Sequence, residues 1–166
     1  MIINVEKVKN VSGKVIEAEA SSESGSFPLG ADTLTLVSPA VFSGTVVNSG
    51  HGLIIEGGVS AVVEMTCSRC AEKLHYPVQV SFHEVYLHQR ETASDEEEIH
   101  YYDGDKIDIL PQAIRAILLE LPMKTLCRED CKGLCPICGS NLNIKQCRCE
   151  RESIDPRLAA LKNFFK

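Results

Sequence analysis

Five cysteines fall within the twenty residues "CKGLCPICGSNLNIKQCRCE", Cys131 to Glu150, and three more stand at Cys67, Cys70 and Cys127. Sulfur at this density is normally bonded to something, so the fold must gather these side chains. The choice lies between disulfides, a redox pair and a metal. The first residues, "MIINVEKVKN", lack a basic stretch leading into an apolar run, so no secretory signal is read there. No segment reaches the ~18 uninterrupted apolar residues of a membrane span. The expected compartment is the cytoplasm, with no membrane partner. Thiols stay reduced there, and clustered cysteines serve metals more often than disulfides.

Spacing sharpens the metal reading. Two intervals are C-x-x-C, "CSRC" at Cys67 and Cys70 and "CPICG" at Cys135 and Cys138. In a zinc knuckle the first cysteine opens a tight turn, and the glycine after the second takes a positive φ. Backbone N–H groups then point at the sulfurs. One knuckle fills half a tetrahedral site with Zn–S of about 2.3 Å. "CRC" can fill the other half, because residues i and i+2 of an extended segment project to the same side. Cys135, Cys138, Cys147 and Cys149 thus make one compact expected site. Cys67, Cys70, Cys127 and Cys131 remain as a second, with Cys127 and Cys131 spaced to face one way on a helical turn.

Other assignments stay open. Cys127, Cys131, Cys135 and Cys138 can form one group, leaving "CSRC" with "CRC"; a single filled site with spare thiols is another outcome. The expected cofactor is one or two structural zinc ions, with iron as the alternative, since four thiolates suit both. A redox-active C-x-x-C belongs where a strand meets a helix in a βαβ setting, and neither motif sits in one. His75, His83 and His88 lie on or near a strand pattern and read as surface or partly buried residues rather than ligands. A closed four-thiolate site leaves no open position for water or substrate. With no nucleophile elbow, H-E-x-x-H, P-loop or dinucleotide fingerprint elsewhere, no enzymatic activity and no small-molecule substrate are expected.

The rest of the chain reads as an α+β fold: an antiparallel sheet or partly open barrel, one main helix, and a zinc-braced C-terminal module ending in a short helix. "GKVIEAEA" alternates like a strand, and "SSESGSFPLG" reads as a turn or loop. "AVFSGTVVNSG" and "HGLIIEGGVSAVVEMT" are β-rich runs joined by a hairpin at "NSGHG". "KLHYPVQVSFHEVYL" alternates Val78, Val80, Phe82 and Val85 or Tyr86 with polar residues. "HQRETASDEEE" is a solvated acidic excursion, after which "IHYY" returns to the sheet and "DGD" turns. A helix is predicted over about 108–121, with Asp108 as cap, Pro111 in its first turn and Pro122 at its end. Leu110, Ile114, Ile117, Leu118 and Leu121 are its expected buried stripe. "DPRLAALKNFF" predicts a closing helix with Asp155 as cap and Pro156 first. Residues 1–122 form the expected body and 123–166 the cysteine-rich module, packed together as one domain.

Charge divides unevenly along this chain. Met1–Met123 holds 8 Lys and Arg against 18 Asp and Glu; Lys124–Lys166 holds 9 against 5. The basic end can touch phosphate, although each zinc tetrathiolate carries about −2 and offsets part of the excess. Lys132, Lys145, Arg148 and Arg151 lie around the second knuckle and are the candidate phosphate contacts.

"CSRC", "DGDKIDI", "LELPMKTLCREDCKGLCPICGSNLNIKQCRC" and "DPRLAALKNFF" together resemble the bacterial YceD-like family of large ribosomal RNA subunit accumulation proteins. The resemblance runs from about Val41 to Lys166. It implies a soluble cytoplasmic protein acting in the accumulation or maturation of large-subunit ribosomal RNA, with metal-binding and nucleic-acid-binding character. Some members lack the final four-cysteine block yet keep a C-x-x-C. Relatives often carry larger apolar residues where this chain has Ala71 or Leu74. The expected role is a non-enzymatic biogenesis factor whose partner is ribosomal RNA or its precursor, a ribosomal protein, or both. The alternative partner scheme is an adaptor that holds a ribosomal protein without meeting RNA; a thiol oxidoreductase is the remaining reading.

Overall fold

The longest apolar alternations of the sequence become the longest strands of the structure, a computed structural model that describes residues 1–29, 32–88 and 99–149. In chain order the elements are β1 (Ile2–Asn4), β2 (Val15–Ser21), β3 (Gly25–Leu29), β4 (Asp32–Leu36), β5 (Val41–Asn48), β6 (Leu53–Thr66), β7 (Lys73–His88), β8 (Ile99–Tyr102), β9 (Lys106–Asp108) and α1 (Leu110–Glu120). A mostly antiparallel seven-stranded sheet runs β2-β5-β6-β4-β3, with β7 pairing β6 and β8. β1 and β9 form a separate antiparallel pair.

The chain divides into two compact units. One comprises Met1–Met65 and Leu74–Met123, the other Thr66–Lys73 and Lys124–Lys166. The first holds the hydrophobic core, in which Phe42 of β5 meets Phe82 of β7 edge to face with ring centroids 5.5 Å apart. Burying one such ring contributes about 2–3 kcal/mol. On β5 and β6 the register from Val41↔Ser60 to Asn48↔Leu53 alternates inward side chains such as Phe42, Val46, Ile55 and Val59 with outward ones. The hairpin between them closes where Ser49 N–H donates to the Gly52 carbonyl at 2.9 Å.

Several expectations need correction. Within "SSESGSFPLG", "GSFPL" is a strand and not a loop: Gly25–Leu29 pairs with β4, and Pro28 is tolerated because β3 ends the strand order among the described residues. β7 buries Val78, Val80 and Phe82 in alternation, but then buries Tyr86 and Leu87 in succession, where it acquires β8 as a partner. "IHYY" does return to the sheet, and it does so in parallel with β7.

α1 is capped differently from the expectation. Its flanking residue is Ile109, while Asp108 ends β9 and reaches forward to accept the Leu110 N–H at 3.0 Å. Pro lies in the first turn, and Leu121, extended before Pro122, ends the helix as a pre-proline residue must. The buried face carries Ala113, Ile114 and Ile117, with Leu110 and Leu121 partly buried at its ends. Leu118 is 42% exposed. Each helical residue turns about 100°, which carries Leu118 off the face centred on Ile114 and Ile117. The acidic excursion at 89–98 and the closing helix expected from Asp155 lie outside the described residues.

Candidate metal centres

Both C-x-x-C motifs fold into the same turn. In the first, which connects β6 to β7, Cys67 N–H donates to the Glu72 carbonyl at 2.8 Å, and Ala71 N–H donates to the Cys67 carbonyl at 3.0 Å. In the second, Cys135 N–H donates to Ser140 at 2.9 Å and Gly139 N–H to Cys135 at 2.8 Å. Gly139 has φ 71°, the left-handed conformation the turn demands; Ala71 holds the equivalent place at φ 58° and is the one non-glycine residue with positive φ among those described. The turns aim N–H groups at their leading sulfurs. The N–H groups of Cys70 and Arg69 hold the Cys67 thiol down at about 6 against its burial. Those of Cys138 and Ile137 likewise lower Cys135.

The eight sulfurs form two quartets. Cys67, Cys70, Cys127 and Cys131 make the first; Cys135, Cys138, Cys147 and Cys149 make the second, and within each quartet all four sulfurs lie within 4.8 Å of one another. None is in a disulfide. The Cys67–Cys131 and Cys70–Cys127 sulfurs are 3.8 and 3.6 Å apart. A disulfide needs about 2.05 Å. A tetrahedron with metal–sulfur bonds of about 2.3 Å has edges of about 3.8 Å. The spacing is therefore that of ligands around one ion. No histidine joins either quartet: His83 faces Glu56 and His88 faces Asp103 instead.

Without an ion, four crowded thiols cannot all ionise, and their acidities separate. At Cys70 the Glu72 N–H favours the thiolate, but burial and the sulfurs of Cys67, Cys127 and Cys131 outweigh it and push the thiol up to about 12. Burial, aided by the Cys131 sulfur, also raises Cys127. In the second quartet the Ser140 hydroxyl and N–H hold Cys138 down at about 6, whereas the Cys138 sulfur and burial push Cys149 up to about 12. Such splitting is what like charges sharing a small volume produce. A divalent cation would remove it. The four-sulfur donor set suits zinc or iron.

Residues 55–165 match the family described as large ribosomal RNA subunit accumulation protein YceD. The chain belongs to the YceD family. An uncharacterized protein of Mycobacterium tuberculosis is 34% identical over 119 residues, covering 70% of this chain and 57% of its own length. YlbN of Bacillus subtilis, also uncharacterized, is 28% identical over 131 residues, covering 78% and 76%. A protein of Arabidopsis thaliana named large ribosomal RNA subunit accumulation protein YCED homolog 1, chloroplastic, is 25% identical over 154 residues, covering 75% and 48%. This YceD chain thus spans little more than half the length of its mycobacterial relatives. No solved structure matches it.

Three residues that the sequence reading did not single out hold the YceD quartets in place. The Arg69 guanidinium donates to the carbonyls of Glu129 and Cys131 at 3.3 and 3.0 Å, while the Arg69 carbonyl accepts the Leu134 N–H at 3.0 Å. Gly133, at φ 73°, lies so near that a Cβ would stand 3.0 Å from the Arg69 oxygen. Asn143 donates to the Cys131 sulfur at 3.3 Å. Burial opposes ionisation of Cys131, and the Asn143 amide and Gly133 N–H outweigh it, lowering the thiol. Sequence inspection finds Arg69 and Asn143 only as a basic residue inside a knuckle and a turn former in "GSNLN".

Of the four candidate phosphate contacts, Lys132, Lys145 and Arg148 are exposed on the second unit, and Arg151 lies outside the described residues. Lys132 shares a concavity of about 480 Å³ with Leu142, Gln146 and Cys147, next in sequence to Lys145 and Arg148. No helix among the described residues is long and apolar enough to cross a membrane.

Proposed function

We propose that this protein is a non-enzymatic cytoplasmic factor that supports accumulation and maturation of large-subunit ribosomal RNA, with a structural zinc in each quartet. The observation that carries it is a pair of closed four-sulfur sites in a chain of the YceD family. A site closed by four thiolates lends shape and leaves no position for catalysis. The ions would fix the surface bearing Lys132, Lys145 and Arg148, which contact phosphates of ribosomal RNA or its precursor and so position the protein without reading sequence.

Crosslinking in cells, with identification of the attached RNA and protein, tests the partner. The expected product is large-subunit ribosomal RNA joined through the second unit. Retention on that RNA should fall steeply as salt rises. Depletion of the protein should lower large-subunit relative to small-subunit ribosomal RNA, and metal analysis of freshly isolated protein should count two zinc per chain.

One observation favours a second reading, an adaptor for a basic ribosomal protein. The first unit carries 6 Lys and Arg against 17 Asp and Glu, a net charge of −11, whereas the second carries 11 against 6. A surface that acidic repels RNA and attracts cationic protein. Capture of a ribosomal protein with no RNA retained at low salt decides for the adaptor.

A further inference from the structure

The two quartets are consecutive along the chain, and one loop ties them together. Cys131, a ligand of the first, and Cys135, a ligand of the second, are separated only by Lys132, Gly133 and Leu134. The loop between Cys138 and Cys147, both second-quartet ligands, lies back along that link. Leu142 N–H donates to the Gly133 carbonyl at 2.9 Å, and Leu134 bridges Asn141. Asn143 sits at the crossing. Lys132 N–H, which can only donate, meets its Oδ1 at 2.8 Å. That fixes the orientation of the amide and leaves Nδ2 facing the Cys131 sulfur at 3.3 Å and the Asn141 Oδ1 at 3.0 Å. A residue of the second quartet's loop thus donates a hydrogen bond to a ligand of the first.

We propose that Asn143 couples the two centres, so that each holds its ion more tightly when the other is filled. The inference rests on the reading of both quartets as metal sites. An ion bound by Cys135, Cys138, Cys147 and Cys149 pins both ends of the loop, and the loop then presents the Asn143 N–H to Cys131. A four-thiolate centre with a divalent ion carries a net charge of about −2, and an N–H donor offsets part of the charge on one sulfur. Outer contacts of this kind are worth roughly 10–100-fold in metal affinity. Reciprocity requires the first centre to favour the second by the same factor. The bonds to Gly133 and Lys132 hold the loop; the bond to sulfur is the one that responds to the ion.

Cobalt(II) provides the probe, read anaerobically through its thiolate charge-transfer and ligand-field bands on the full chain and titrated against a chelator. Cys138→Ser with Cys149→Ser disables the second quartet, and Cys67→Ser with Cys70→Ser disables the first, so each centre can be read alone. Asn143→Asp keeps the acceptor for Lys132 N–H and removes both donors. The first centre should weaken about tenfold when the second is disabled, and about as much in Asn143→Asp. The two changes combined should cost no more than either alone. First-centre affinity within twofold of the unmutated protein in Asn143→Asp, or losses that multiply, overturns the proposal. Should a variant misfold, the unmutated chain loaded with cadmium-113 gives a second reading. The Asn143 side-chain amide proton should show coupling to the first-centre cadmium, and its absence overturns the coupling. Absence of any tetrahedral thiolate spectrum in the unmutated protein defeats the metal reading itself, whereas two centres that fill independently defeat only the link between them.

Discussion

Ala71 and Gly139 occupy the same place in two copies of one turn, each the residue after a C-x-x-C and each at positive φ, 58° and 71°. A side chain in that conformation costs about 1–2 kcal/mol, which Gly139 avoids and Ala71 bears. A Cβ at Gly139 would meet nothing within 4 Å, so the cost of adding one is backbone strain alone. Gly139→Ala should lower stability by about 1 kcal/mol, and Ala71→Gly should leave it unchanged or raise it by up to about 1 kcal/mol, the freer unfolded chain offsetting part of the gain. Thermal melts of the metal-loaded protein at fixed metal concentration measure both.

Gly133→Ala should cost more than Gly139→Ala. It adds the same strain and also sets a Cβ 3.0 Å from the Arg69 oxygen, which accepts the Leu134 N–H and has little room to retreat. An excess loss of about 1 kcal/mol over Gly139→Ala is expected from such overpacking. The same melts, run beside each other, decide it.

Arg69→Met should loosen the first centre directly, and the second only to the extent that the first stands empty. The substitution keeps much of the side chain's bulk and removes the donors to Glu129 and Cys131. Chelator competition should show metal retention at the first quartet falling about tenfold. An equal loss at the second centre while the first is still filled would mean that Arg69 stabilises the unit as a whole.

Metal uptake at pH 7.5 should release fewer than four protons per quartet, because binding displaces only the protons still held. Cys67 and Cys138, held at about 6, are already ionised there. Cys131 and Cys135 are lowered as well. Cys70 and Cys149, at about 12, and the raised Cys127 keep theirs until the ion arrives. The sign follows from these directions. As pH falls through about 6, Cys67 and Cys138 take up protons, the number released rises, and apparent affinity drops more steeply. Calorimetry in buffers of differing ionisation enthalpy counts the protons.

Where one physical rule decides an element, the sequence reveals it. Alternation placed β5, β6 and most of β7, and a 3.6-residue period with proline at both ends placed α1. Where two rules compete, it does not. Gly25, Ser26 and Pro28 are turn formers by propensity, yet the end of the strand order asks little of a strand, so β3 forms there. Leu118 departs from its expected stripe because apolar residues occupy more of the helix than the core covers. At the candidate site, spacing and turn chemistry point to which sulfurs stand together, and the structure groups them in two fours. Arg69 and Asn143 escaped because their contacts reach Cys131 from 62 and 12 residues away, a relation no local pattern encodes.

The first quartet draws its sulfurs from stretches 57 and 64 residues apart, while the second takes all of its own from fifteen consecutive positions. During synthesis the second can close as soon as its segment emerges, for the entropy of so short a loop is small. The first cannot close until the strands and helix lying between its halves have emerged and brought those halves together. An ion at Cys67, Cys70, Cys127 and Cys131 would then serve as a seal on the strands and helix between its halves, held once they have folded and refused before.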